Sequence, residues 1–141
     1  MAQPIYPCLW FDGQAKAAAD FYCSVFKKSK VLAENEMVVM FEINGGKMMA
    51  LNGGPQHKPS IATSLVIPCD TQEEIDHYWS SLSGGGGKED QCGWVHDKFG
   101  YSWQIVPAKL TDWMADPARA QRVMQAVWKM GKLDIEILRN A

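Results

Sequence analysis

Residues 46–51 read Gly46-Lys47-Met48-Met49-Ala50-Leu51, and residues 100–105 read Gly100-Tyr101-Ser102-Trp103-Gln104-Ile105, at an offset of 54 residues. Working outward, Leu9, Trp10, Ala18, Phe21, Tyr22 and Val25 return as Val66, Ile67, Ile75, Tyr78, Trp79 and Leu82, at a constant offset of 57. The chain carries one unit twice, each copy a strand, a helix and a hairpin of strands. The fall from 57 to 54 predicts a loop three residues shorter in the second copy. A seam between two such copies is a natural place for a small-molecule site.

Local signals fill in the units. Segment 5–11 is short and apolar, a buried strand. Apolar residues at 18, 21, 22, 25 and 26 mark one face of a helix over 15–27. Met37 to Ile43 is strand-like, Asn44-Gly45 is a tight hairpin turn, and 47–52 is the return strand. Residues 53–60 link the halves. The second half predicts a strand over 61–68, a helix over about 72–82 capped by Asp70 or Thr71, and a flexible link at Gly84–Gly87. Strands follow at 92–97 and 101–106, with Pro107 closing the repeat.

The tail, 108–141, has no counterpart in the first half. Asp116-Pro117 starts a helix, with a cap followed by proline at the first helical position. Ala120, Val123, Met124, Val127 and Trp128 form its apolar stripe, Gly131 stops it, and Leu133–Leu138 suits a further short helix. These helices are expected to pack on the sheet or on a partner subunit. The expected divisions are 1–54, 55–107 and 108–141, within one domain overall.

Composition narrows the function. Of 141 residues, 47% are apolar and 21% charged, and the net charge of −2 has no block of one sign. Nucleic acid and anionic membranes are therefore not expected as partners. No apolar run approaches a membrane span, and the start is no secretory signal, so a cytoplasmic protein is expected. Cys8, Cys23, Cys69 and Cys92 form no C-x-x-C pair and read as free thiols.

Strand alternation sorts residues onto two faces. The bulkier set, Cys8, Trp10, Met49, Leu51, Leu65, Ile67, Trp103 and Ile105, is expected to face the helices. The opposite set is Leu9, Phe11, Met48, Ala50, Asn52, Ser64, Val66, Ser102 and Gln104. That second set mixes small, polar and apolar groups, the character of a cleft for a small organic ligand. The alternative is a second core between the sheets, which Asn52, Ser64, Ser102 and Gln104 would fill poorly.

These units resemble the vicinal oxygen chelate superfamily, which includes glyoxalase I, fosfomycin- and bleomycin-resistance proteins and extradiol dioxygenases. Leu9–Gly13, Ala50–Pro55, Cys69-Asp70, Cys92-Gly93-Trp94 and Asp97–Gln104 resemble its PhnB-like branch, also labelled the 3-demethylubiquinone-9 3-methyltransferase domain. The resemblance spans about 5–107, and the tail is similar too. It implies an α+β fold of two β-α-β-β-β modules forming a curved mixed sheet, with a C-terminal helical tail. It also implies a homodimer.

Metal-using relatives take one ligand from the first strand and one from the last strand of each half. Carried over, those positions fall at about Pro7, Ala50, Ser64 and Gln104, of which only Gln104 suits coordination. A catalytic transition metal wants about three His, carboxylate or thiolate ligands, so no metal is expected there. The methyltransferase label implies S-adenosylmethionine, yet Gly84-Gly85-Gly86-Gly87-Lys88 follows a helix rather than a strand and reads as a helix stop. No cofactor is expected.

The catalytic residues stay unassigned, with His96, Cys92 and Glu42 as weak candidates. His96 is a proton carrier if its strand edge faces the cleft, and Glu42 is its repeat counterpart. Cys92 is a nucleophile only with a nearby base or positive charge. His57 reads as a solvated linker residue and His77 as surface. Trp94 and Phe11 suit either stacking on a ligand or packing. The leading reading is a small-molecule-binding protein with a metal-poor cleft. The alternatives are a non-catalytic, ligand-sequestering binder, an enzyme with a metal held by residues such as His57, Glu42 or His96, and the labelled methyltransferase.

Overall fold

The computed structural model describes residues 2–141. The chain divides between Pro59 and Ser60 into two units, each carrying a β-α-β-β-β module. The first runs β1 (Cys8–Phe11), α1 (Ala15–Val25), β2 (Ser29–Glu34), β3 (Val38–Ile43) and β4 (Gly46–Asn52). The second runs β5 (Ser64–Cys69), α2 (Gln72–Ser83), β6 (Lys88–Glu89), β7 (Trp94–His96) and β8 (Ser102–Pro107). Its tail adds α3 (Leu110–Trp113), α4 (Pro117–Val127) and α5 (Ile135–Arg139). The fold is α+β. The sheets are ordered β1-β4-β3-β2 and β5-β8-β7-β6. In each, the first strand pairs parallel with the last and the other pairs are antiparallel.

Local chemistry explains the elements. Asn44 and Gly45 have φ of 49° and 82°, the positive values a two-residue turn between β3 and β4 needs. The Thr71 hydroxyl accepts from the Glu74 amide at 3.2 Å and caps α2. Asp116 Oδ2 accepts from the Arg119 amide at 3.0 Å and caps α4. Helix α1 has no such cap of its own. Asn52, at the end of β4, supplies one by accepting the Ala15 amide at 2.9 Å through Oδ1. Its Nδ2 donates to the Glu36 carbonyl at 3.0 Å.

Three elements lack a clear sequence signal. β2 is an edge strand, mostly exposed, with a break in register between Val31 and Ala33, so it shows no clean alternation. β6 has only two residues, and α3 only four. Trp128, expected in the apolar stripe of α4, is 64% exposed. α4 ends at Val127, and Trp128 is its C-cap residue, outside the buried face formed by Val123 and Val127.

Each sheet covers its own helix. In the first unit Tyr22 stacks on Phe41 with ring centroids 6.1 Å apart, and Ala18, Ala19 and Val25 are buried beside it. In the second, Ile75, Tyr78, Trp79 and Leu82 of α2 are buried along with Ile67, Val95, Trp103 and Ile105. Burying each such large side chain stabilises the fold by roughly 1.5–3 kcal/mol. The tail is tied to α2 through Gln72. Its Nε2 donates to the Leu133 carbonyl at 3.0 Å, and its Oε1 accepts from the Ile135 amide at 2.8 Å. Lys132 pairs with Asp76 at 2.8 Å. Among the described residues, no helix is long and apolar enough to cross a membrane.

Candidate functional site on the open face of the second sheet

Register fixes which side chains share a face. In the second unit Ser64 pairs with Ser102 and Val66 with Gln104, while Trp94 pairs with Gln104 and His96 with Ser102. Lys88 pairs with His96 at the edge. The face turned away from α2 is thus a small grid. One row is Ser64, Ser102, His96 and Lys88, and the next is Val66, Gln104 and Trp94. Gln104 Nε2 donates to the Ser64 hydroxyl at 2.9 Å. Val66, on the edge strand β5 beside Gln104, is 57% exposed.

A buried aspartate holds the grid's turn in shape. Asp97 Oδ1 accepts from the Phe99 and Tyr101 amides at 2.9 and 3.1 Å, and Oδ2 accepts from Trp103 Nε1 at 2.8 Å. The turn between β7 and β8 and the indole on the helix side are locked by one carboxylate. That fixes the start of β8, from which Ser102 and Gln104 project.

At the edge of the same face, His96 Nδ1 lies 3.0 Å from Asp90 Oδ2. A cavity of about 540 Å³ opens on the Asp90 side of this pair, walled by Ile61, Lys88, Glu89, Asp90, Cys92 and Trp94. Cys92 is half-buried and has φ of 62°, and its amide is spent on the Met130 carbonyl at 2.9 Å. The neighbouring Gly93 has φ of 84°, and a Cβ there would stand 2.9 Å from Leu133.

In the first unit the faces are the reverse of the sequence reading. Leu9 pairs with Ala50, Val39 with Ala50 and Phe41 with Met48, and Phe41 is stacked on Tyr22 of α1. Leu9, Phe11, Met48, Ala50 and Asn52 therefore stand on the helix side, and Asn52 is spent on the α1 cap. Cys8, Trp10, Met49 and Leu51 stand on the open side, with Val38, Met40 and Glu42. The cause is a one-residue slip. Three residues, Asp12-Gly13-Gln14, join β1 to α1, but only Asp70-Thr71 join β5 to α2. The helix offset therefore cannot be carried onto the strands. Leu9 matches Ile67, and Ala50 matches Ile105, all buried. A slip of one residue turns every side chain of a strand to the other face.

The corrected equivalence also moves the positions where relatives hold a metal. Ser64 and Gln104 answer to Tyr6 and Met49, rather than to Pro7 and Ala50. Neither the phenol and thioether in the first unit nor the hydroxyl and carboxamide in the second suit a divalent transition metal, and the Ser64 oxygen already accepts from Gln104. Among the described residues, no three His, Cys, Asp or Glu side chains come together as a metal-holding group.

The remaining candidates have partners within their own units. Glu42 lies 3.9 Å from Lys30. His57 meets the Trp10 ring edge-on at 4.9 Å, and Trp10 Nε1 donates to the Gly54 carbonyl at 2.8 Å. His77 is exposed on α2, with its ring 5.1 Å from Tyr78. The glycine run caps α2 at Gly84 and turns into β6, and a Cβ on Gly87 would meet the Leu82 and His96 carbonyls at 2.6 and 2.7 Å. Sequence reasoning missed Asp90, because pairing it with His96 depends on the two-residue strand β6.

A family model described as 3-demethylubiquinone-9 3-methyltransferase matches residues 3–106. Among solved structures, the chain is similar to a PhnB protein from Bacillus cereus that carries the same methyltransferase description. The identity is 29%, over 74% of this chain and 99% of that one, with a TM-score of 0.65. It is also similar to protein PA1353 from Pseudomonas aeruginosa, at 17% identity over 75% and 98% of the two chains and a TM-score of 0.62. A glyoxalase/bleomycin resistance protein from Albidiferax ferrireducens T118 shares the fold at 11% identity, over 71% and 93%, with a TM-score of 0.56. No protein of curated function matches the chain.

Proposed function

The chain belongs to the PhnB-like, 3-demethylubiquinone-9 3-methyltransferase family, with a glyoxalase-like fold, and we propose that it binds a small, partly apolar organic molecule on the open face of its second sheet. The observation that carries this reading is the Gln104–Ser64 hydrogen bond beside the exposed Val66. A polar pair and a bare aliphatic side chain share one face of the edge strand β5 and its neighbour β8. Val66 and Trp94 offer apolar contact, while Ser64 and Gln104 fix orientation and Ser102, 6% exposed, lies beneath them. With Gln104 Nε2 donating to Ser64, the Gln104 carbonyl oxygen and the Ser64 hydroxyl hydrogen remain to meet a ligand.

The test is a screen of small planar organic compounds against labelled protein by NMR. The expected shifts cluster at Val66, Trp94, Ser102 and Gln104, and Gln104→Ala weakens the best binder by about two- to tenfold, the worth of a neutral hydrogen bond. Shifts that cluster elsewhere, or affinities unchanged in both Gln104→Ala and Ser64→Ala, would sink the assignment. A saturable calorimetric signal from S-adenosylmethionine would instead favour methyl transfer. Tight binding without turnover of any compound would favour the sequestering reading.

A further inference from the structure

We propose that His96, oriented by Asp90, is a proton acceptor for a weakly acidic O–H or N–H group on a small aromatic molecule bound beside Trp94. The assignment rests on the open face of the second sheet being the ligand surface. The His96 ring nitrogen Nδ1 lies 3.0 Å from Asp90 Oδ2. A carboxylate only accepts hydrogen bonds, so in the neutral ring this contact places the proton on Nδ1. The lone pair is then on Nε2, the nitrogen that Asp90 does not use. The tautomer is set by the protein rather than by the ligand.

The surroundings suit the role. His96 and Trp94 are two residues apart on one strand face, and Trp94 and Asp90 both wall the adjoining cavity of about 540 Å³. Ile61, 68% exposed, gives that cavity a second apolar wall. A flat, apolar ring fits against Trp94 and Ile61. His96 remains partly open to solvent, with 37% of its side chain exposed against 27% for Asp90. The charged groups around the imidazole and its cavity are Asp90, Lys88 across the strand pair, and Glu89 on the cavity wall, while β8 presents the uncharged Ser102.

The step balances without any further reagent. The ligand's O–H or N–H bond breaks, an N–H bond forms at Nε2, and the electron pair stays on the ligand. The imidazolium keeps its hydrogen bond to the Asp90 carboxylate, and Lys88 is the register partner of His96 on the edge strand. Asp90 is a positioning residue, because it acts only through the ring.

4-Nitrophenol reports this step directly, since its acid and anion absorb at different wavelengths. With the intact protein, the anion fraction should rise saturably, equivalent to a fall of about one unit in the dye's pKa, a tenfold rise in its acid dissociation constant. His96→Gln should abolish the rise. Asp90→Asn should keep the dye bound, but shift the pH profile of the rise and shrink it at least about threefold. A rise unchanged in His96→Gln would overturn the proposal, and so would bound dye that stays neutral in the intact protein. If 4-nitrophenol gives no saturable signal while the screened compounds still shift Val66 and Gln104, the base assignment alone fails. Loss of both removes the ligand surface itself. Circular dichroism of the variants separates either outcome from misfolding.

Discussion

Cys69 ends β5 on the helix side and is 1% exposed. Burial, reinforced by the negative charges of Glu74 and Asp70, pushes its thiol from 9.0 up to about 12. Below pH 9 both folded and unfolded chains keep this proton. As pH rises from 9 toward about 12, only the unfolded chain releases it, so stability falls across that window. Urea unfolding between pH 8 and 11 should show a steeper decline for the intact protein than for Cys69→Ala. The excess slope should reach at most about 1.4 kcal/mol per pH unit, one proton's worth. Parallel declines would show that the thiol ionises alike in both states. The same burial denies Cys69 the thiolate that a nucleophile needs.

At the scale of elements, Asn52 joins two that the sequence keeps apart. Nothing at Gln14 caps α1 through a side chain, and β4 supplies the missing acceptor from 37 residues away. Asn52→Ala should therefore cost about 1 kcal/mol of stability. It should leave binding on the second sheet unchanged, as read by thermal unfolding and by the same NMR shifts. A loss of binding with stability intact would return Asn52 to the ligand surface. The slipped register has the same origin. The helix repeat was plain in the apolar spacing of Ala18, Tyr22 and Val25 against Ile75, Trp79 and Leu82. The face of β1 depended on a loop longer by one residue, and that of β4 on its parallel pairing with β1, neither of which an apolar pattern records.

Across the whole molecule, the first unit ends where its sheet and helix are complete, and the second carries an added tail. Gln72 ties the tail to α2, with both amide atoms engaged on Leu133 and Ile135. Gln72→Ala should speed hydrogen exchange of the α5 amides by about tenfold while those of β8 change little. Equal acceleration in both elements would mean that the tail and sheet open together. Gly93 belongs to the same arrangement, because the close approach of Leu133 leaves no room for a side chain there.

Much of this was legible in one dimension. The duplication, both helix faces, the Asn44-Gly45 turn and the caps at Thr71 and Asp116 rest on neighbours within a few residues, where composition and spacing carry the physics. The paired modules of the fold followed from them. The ligand grid, the Asp90–His96 pair, the Asn52 cap and the Gln72 tie all join residues through strand pairing or packing. Only tertiary structure decided those, because a hydrogen bond depends on a distance of about 3 Å in space, and a face depends on a register that one loop residue inverts.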